Sequence, residues 1–171
     1  MVKEQHRVAL LTGSNAPERE AILRLTAELV AQHIGTVERS SQIHASAAWG
    51  FECNDPFANQ ALVVVTTLSP EEVLTQALSI EQMVGRNREA ELKEKQLTGQ
   101  RYASRVVDVD VIFYDDLVVE SERLTLPHRL MHEREFVLRP LREVAAEWQH
   151  PLLKQSVEQM LRKVEDKENK N

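Results

Sequence analysis

The stretch RVVDVDVIFYDD, Arg105 to Asp116, decides how this chain is read. Its run of β-branched and aromatic residues predicts a core strand, yet Asp108 and Asp110 interrupt it. Side chains alternate along a strand, so the two aspartates point to one face with Cα atoms about 6.5–7 Å apart. Two carboxylates at that spacing repel, and apolar surroundings raise the cost unless a cation lies between them. A divalent ion meets the need: two Mg²⁺ ions about 3.5–4 Å apart can be bridged or flanked by such a pair, with phosphate oxygens completing each octahedron. An edge strand with a solvated polar face also carries Asp-x-Asp, so the neighbouring segments have to separate the two readings.

Just upstream, residues 86–105 hold six basic side chains (Arg86, Arg88, Lys93, Lys95, Arg101, Arg105) and three glutamates, a net of +3 in a chain of net charge −6. A cationic segment leading into a carboxylate pair can hold a polyphosphate between guanidinium groups and metal ions; a solvated basic loop fits the same pattern. Gly99 and its polar neighbours predict a mobile loop able to close over a substrate. Downstream, in RLTLPHRLMHEREFVLRPL (Arg123 to Leu141), His128 and His132 are four apart. The residue after His128 is arginine, so this is not the H-E-x-x-H zinc motif, and His128 and Arg134 read as phosphate donors or as ordinary surface residues.

Around the central strand the elements alternate. RVALLTGSN predicts a strand, and Asn15-Ala-Pro-Glu18 a capped start of a helix running to about His33, striped by Ile22, Leu25 and Leu29 and stopped at Gly35. ALVVVTTL (Ala61 to Leu68) predicts a core strand. Ser69-Pro-Glu-Glu72 then opens a second helix with a serine cap, proline in the first turn and glutamate third; Val73, Ala77, Ile80 and Val84 stripe it, and Gly85 is expected to end it. LLKQSVEQMLRKV supplies a late amphipathic helix. The order fits an α+β fold, a ferredoxin-like α/β sandwich with helices packed on a mainly antiparallel sheet. Residues 1–165 form one expected domain and the charged residues 166–171 a frayed tail.

Bulk composition narrows the function. A pI near 5.6 excludes a general affinity for nucleic acid or anionic membrane, so any anion site is local. One cysteine, Cys53, allows neither an internal disulfide nor a cysteine metal cluster. MVKEQHRVALL is too short an apolar run for a signal peptide and no stretch approaches a membrane span, so the expected location is the cytoplasm. No P-loop and no G-x-G-x-x-G fingerprint occurs, so side chains and metals, rather than a glycine-rich backbone cradle, would have to hold a nucleotide's phosphates.

Taken together, TGSN (Thr12 to Asn15), Ser46-Ala-Ala-Trp-Gly50 with Asp55-Pro-Phe-Ala-Asn59, Ile80-Glu81 leading to Gly85-Arg86, Arg105-Val-Val-Asp-Val-Asp110, and Leu124-Thr-Leu-Pro-His128 with Arg134-Glu-Phe136 resemble the 6-hydroxymethyl-7,8-dihydropterin pyrophosphokinases of the folate pathway. The resemblance spans about Val8 to Glu147. It implies transfer of diphosphate from MgATP to 6-hydroxymethyl-7,8-dihydropterin with release of AMP, by a monomer or weak dimer. It also implies roles: Arg86, Arg105, Asp108 and Asp110 catalytic; Asp108 and Asp110 holding two Mg²⁺; Glu81, Arg86, Arg101, Arg105, Arg123, Thr125, His128 and Arg134 on ATP; and Ser46, Ala47, Ala48, Trp49, Phe57, Asn59, Tyr102 and Phe136 around the pterin.

Departures from the family pattern fall in the loops. Tyr102-Ala-Ser-Arg105 stands where the family often has Trp-Gly-Pro-Arg, so Tyr102 would be a smaller aromatic lid. Ser46-Ala47-Ala48 replaces Thr-Pro-Pro, and the segment from Arg86 to Tyr102 is longer than the commoner form. The alternatives are a non-catalytic nucleotide-binding relative and another Mg²⁺-dependent nucleotide transferase. Asn59 speaks against the transferase and the intact aspartate pair against the non-catalytic relative.

Overall fold

The computed structural model describes residues 4–46, 57–95 and 106–169. In chain order they form β1 (His6–Ser14), α1 (Arg19–His33), β2 (Thr36–Ser40), β3 (His44–Ser46), β4 (Phe57–Thr66), α2 (Pro70–Lys95), β5 (Asp108–Tyr114), a small hairpin of β6 (Val119–Glu120) and β7 (Thr125–Leu126), a 3-10 turn at Met131–Glu133, α3 (Glu135–Ala145) and α4 (Val157–Asn169). The main sheet runs β2-β4-β1-β5, with β3 added to β4 beside β2, and its described pairings are all antiparallel. The run β1-α1-β2-β4-α2-β5 is the ferredoxin-like βαββαβ arrangement, so the expected α+β sandwich is the one formed.

Strand alternation divides the core. Val8 and Leu10 of β1, Leu62 and Val64 of β4 and Val109 and Val111 of β5 pack under α1 and α2. Ala9, Leu11, Ala61, Val63, Ile112 and Phe113 face the other way, against Val137, Leu138, Leu141 and Val144 of α3 and Val157, Met160 and Leu161 of α4. Each face buries an apolar layer, and this double burial is what makes β1 and β4 nearly continuous runs of apolar residues.

The second helix begins as its sequence dictates. Ser69 Oγ accepts the Glu72 N–H at 3.2 Å and the Glu72 carboxylate accepts the Ser69 N–H at 3.1 Å, a reciprocal capping box, and Val73, Ala77, Ile80 and Val84 are all buried. Gly85 does not end it; the backbone stays helical to Lys95. A mid-helix glycine costs only about 1 kcal/mol, and the strong helix formers among residues 86–95, with no proline, outweigh that. The loop expected from Arg86 onward is therefore helical over its first ten residues.

The first helix starts later than Asn15. Ser14 Oγ accepts the Ala16 N–H and donates to the Val106 carbonyl, and the Ala16 carbonyl takes the Arg19 N–H, so residues 15–18 form a turn and the helix opens at Arg19. Its buried stripe is Ile22, Leu23, Thr26 and Val30, with Leu25 and Leu29 only partly covered. Gly35 follows the helix for a packing reason: a Cβ there would lie 2.1 Å from the Val65 carbonyl oxygen of β4. Residues 166–169, expected as a frayed tail, continue α4; Val164 packs on the core one turn earlier, and Glu158 pairs with Arg162 at 3.4 Å.

Behind α4, Trp148 stacks on Phe113 with ring centroids 5.2 Å apart, and buried His150 uses Nδ1 to accept the N–H groups of Leu152 and Leu153. Burial, aided by nearby His132, pushes the His150 imidazole below its ordinary pKa of 6.5. The unfolded chain therefore binds this proton more readily than the folded one, and stability is lost as pH falls below about 6.5. Melting temperature followed from pH 7.5 to 5 should drop, and the drop should be shallower in His150→Asn.

Candidate active site

Antiparallel register lines up one row of residues across four strands. His44 of β3 is partnered with Asn59 of β4, Asn59 with Gly13 of β1, and Gly13 with Asp108 of β5. Cross-strand partners share a face, so this row and the next, in which Ala61, Leu11 and Asp110 are aligned, look toward the α3 and α4 side. Strand spacing puts Asn59 and Asp108 about 10 Å apart, on either side of a residue without a side chain. Gly13 keeps this space open, because a Cβ would come within 2.6 Å of Asn59 Oδ1 and the amide end would have to shift.

Beyond these rows the face opens into a cavity of about 960 Å³. Its floor is Leu11, Gly13, Asn59, Asp108 and Asp110; its sides are His44, Ala45 and Phe57 from the strands, Glu133 and Arg134 before α3, Glu135, Phe136 and Arg139 of α3, and Val164 and Glu168 of α4. Asn59 is only 5% exposed, whereas both aspartates are half-buried. The Arg134 guanidinium lies 5.8 Å from the centroid of the Phe136 ring, within cation–π range. Pro140 cannot donate to the Phe136 carbonyl one turn earlier, which loosens the first turn of α3 where this aromatic sits.

Among the described residues, five acidic side chains and two arginines line the cavity, so this part of the lining is net negative. At its α4 rim, a hydrogen bond with Glu135, helped by slight desolvation, holds the Glu168 carboxyl above the usual carboxylate range. An anionic substrate meets repulsion here unless cations accompany it. The two half-buried carboxylates of β5 offer the hard oxygen donors that suit Mg²⁺, which is commonly held by one or two carboxylates with water and phosphate oxygens supplying the rest. Among the described residues no group of three or more His, Cys, Asp or Glu is arranged to hold a metal.

The aspartates are held from beneath by Glu81. On its outer side β5 is a sheet edge, and Glu81 Oε2, reaching from α2, accepts the Val109 N–H at 2.7 Å, directly between Asp108 and Asp110. Glu81, expected on ATP, thus acts on the strand backbone and does not line the cavity. Arg123, also expected on ATP, sits at the hairpin with its guanidinium 3.5 Å from Glu71 of α2, and Thr125 lies in β7; neither lines the cavity. His128 stands behind the lining, close enough to Asp110 and Arg134 for both to act on its charge. Burial lowers its pKa, Asp110 works the other way and Arg134 adds to the lowering; its buried Nδ1 has no hydrogen-bond partner among the described residues.

Phe57, Asn59, Asp108, Asp110, Arg134 and Phe136 are therefore brought to one cavity. Ala47, Ala48, Trp49, Arg101, Tyr102 and Arg105 lie outside the described residues, and Ser46 and Arg86 are described in their backbones alone, in β3 and α2. Sequence reasoning missed His44, Gly13, Val164 and Glu168. Gly13 was legible as the strand's glycine within TGSN, whereas the others depend on long-range packing.

A carboxylate pair facing a substrate-sized cavity on this fold offers the donors that a metal-assisted group transfer would use. Residues 9–146 match the family model of the 7,8-dihydro-6-hydroxymethylpterin-pyrophosphokinases, and the chain belongs to that family. It is 39% identical over 141 residues to the 2-amino-4-hydroxy-6-hydroxymethyldihydropteridine pyrophosphokinase of Methylorubrum extorquens, covering 81% of this chain and 82% of the relative. Against the Bacillus subtilis protein of the same name, identity is 36%, covering 77% and 74%. Among solved structures it resembles Plasmodium falciparum HPPK-DHPS, with a TM-score of 0.71 and 14% identity over 94% of this chain; it spans 45% of that longer chain, and the likeness concerns the fold.

Gly13→Ala is expected to displace the Asn59 amide end, a flexible group, while unfolding free energy changes by less than about 1 kcal/mol. An NMR spectrum of the side-chain amides, with Asn59 shifted and the core unchanged, checks this.

Proposed function

We infer that this chain transfers the terminal diphosphate of MgATP to the hydroxymethyl oxygen of 6-hydroxymethyl-7,8-dihydropterin, releasing AMP, as a step of folate biosynthesis. Family membership over most of the chain supports the reading. The observation that carries it is the cross-strand row: a buried amide on β4 and an acidic pair on β5 face one cavity, separated by a glycine.

In this reading the pterin lies on the floor between Asn59 and Asp108. The Asn59 amide presents both a donor and an acceptor, matching the paired polar edge of a pterin ring, and a buried polar site of this kind discriminates strongly against rings lacking that edge. Phe57 and Phe136 flank the ring as stacking surfaces, and the Arg134 charge over Phe136 stiffens that wall. The hydroxymethyl arm then points along the row toward β5. There its oxygen is in line with the β-phosphorus, a bond forms between them, the bond from that phosphorus to the α-phosphate oxygen breaks to release AMP, and the hydroxyl proton passes to solvent.

Asp108 and Asp110 would hold two Mg²⁺, which when bound supply charge neutralisation and orientation for the phosphates. The aspartates act as ligands in this scheme rather than as proton acceptors. Arg134 and the arginines among residues 86–105 complete the neutralisation that the acidic lining demands, His128, kept uncharged by burial, serves as a neutral hydrogen-bonding group, and positioning with electrostatics supplies most of the acceleration. Glu81 keeps the strand between the two ligands in register.

The test is incubation of the purified protein with MgATP and 6-hydroxymethyl-7,8-dihydropterin, followed by separation of nucleotides. AMP together with the pterin diphosphate is the expected result; ADP, or no pterin-dependent turnover, contradicts it. Asp108→Asn and Asp110→Asn should each lower kcat by at least about 100-fold. Both variants should keep the wild-type circular dichroism spectrum, since removing one of two repelling carboxylates does not cost the fold.

A further inference from the structure

The cavity has two walls from different parts of the chain, and one side chain joins them. The first wall is β3, a three-residue edge strand whose His44 and Ala45 line the cavity and which leads directly into the segment beginning at Ser46. The second is α3, which carries Phe136. Glu143 lies seven residues further along that helix, so the two share nearly the same face about 10 Å apart along the axis. Its Oε1 accepts the Gln42 N–H at 2.9 Å just before β3, and its Oε2 is hydrogen-bonded to His44 Nε2.

Upstream, Ser41 is anchored to Gln60 and Ala61 of β4, but β3 itself is short. It pairs with β4 over three residues and, among the described residues, has no strand on its other side. Short edge strands of this kind open readily. The Glu143 carboxylate is largely exposed to solvent; slight desolvation opposes ionisation, but the Gln42 N–H, the His44 ring and Arg142 outweigh that and hold its pKa below the usual range. One carboxylate with two partners, one of them a backbone N–H, is a tie that does not rest on the solvent-screened ion pair alone.

We propose that Glu143 is a positioning residue that sets the width of the pterin slot by tying β3, through Gln42 and His44, to the helix that carries Phe136. The proposal rests on the cavity being the pterin site. Glu143 touches neither metal nor phosphate in this arrangement, so its influence falls on the pterin and spares the nucleotide. His44, in register with Asn59, conveys the tie to the floor of the slot.

The test is steady-state kinetics of wild type, Glu143→Ala, Glu143→Gln and His44→Ala, with amide hydrogen exchange of residues 42–46 measured on the same proteins. Glu143→Ala is expected to raise KM for the pterin about tenfold, the order expected from losing one charge-assisted hydrogen bond, with KM for ATP changed less than about twofold. Exchange at residues 42–46 should accelerate. Glu143→Gln, which can still accept from Gln42 and donate to the other His44 tautomer, should recover most of the affinity, and His44→Ala should shift pterin KM in the same direction by less. An unchanged pterin KM in Glu143→Ala, an equal rise in KM for ATP, or unaltered exchange at residues 42–46 overturns the proposal. A wild type inert toward the pterin would overturn the assigned reaction instead, and the exchange data would still judge the tie.

Discussion

The antiparallel register that puts Gly13 between Asn59 and Asp108 is the constraint on which the rest of the site depends. A pleated sheet fixes the face of every side chain, so a slip of one residue in β5 would turn both aspartates toward α2 and bring Val109 into the cavity. Three features hold the register. Val109 and Val111 are buried under the α1 and α2 layer, Ile112 and Phe113 under the α3 and α4 layer, and Glu81 accepts the edge N–H between the two acids. A small shift in pairing, a bulge near Ala9 and Leu10, lets the strand serve both layers while its first three residues stay in phase with the cavity.

Electrostatics then explains why the cavity needs accompanying cations. Among the described residues its lining carries more carboxylates than guanidinium groups, and a hydrogen bond between the Glu135 and Glu168 carboxyls raises the pKa of Glu168. A triphosphate entering alone would meet net repulsion; one entering with divalent ions, and with basic side chains from the segment before β5, would not. In the proposed function the substrate would complete the site, as it commonly does for Mg²⁺ sites with few protein ligands.

Much of this was written in the sequence because it follows local rules. The alternation in Asp108-Val-Asp110 gives the shared face, Ser69-Pro-Glu-Glu72 gives the capping box, and the stripe from Val73 to Val84 gives the buried side of α2. Features that depend on competition were harder to read. Gly85 looked like a stop, yet the helix formers after it outweigh one glycine, and Asn15 looked like a cap, yet Ser14 takes that role in a turn. Contacts distant in sequence left no local mark: Glu143 and His44 are 99 residues apart, and the bond from Val109 to Glu81 spans 28. Glu81 was picked out by resemblance alone, and its hydrogen bond to the Val109 N–H gives it a task in holding the strand that the sequence did not announce.

Metal binding tests the central claim most directly. Mn²⁺ can be titrated by electron paramagnetic resonance into the protein bound to a non-hydrolysable ATP analogue, comparing wild type with the Asp108→Asn/Asp110→Asn double variant. The account predicts that wild type holds two Mn²⁺ per bound analogue and that the double variant holds no more than the free analogue does. Equal Mn²⁺ retention by the two proteins would mean that the paired aspartates of β5 are not the metal's seat.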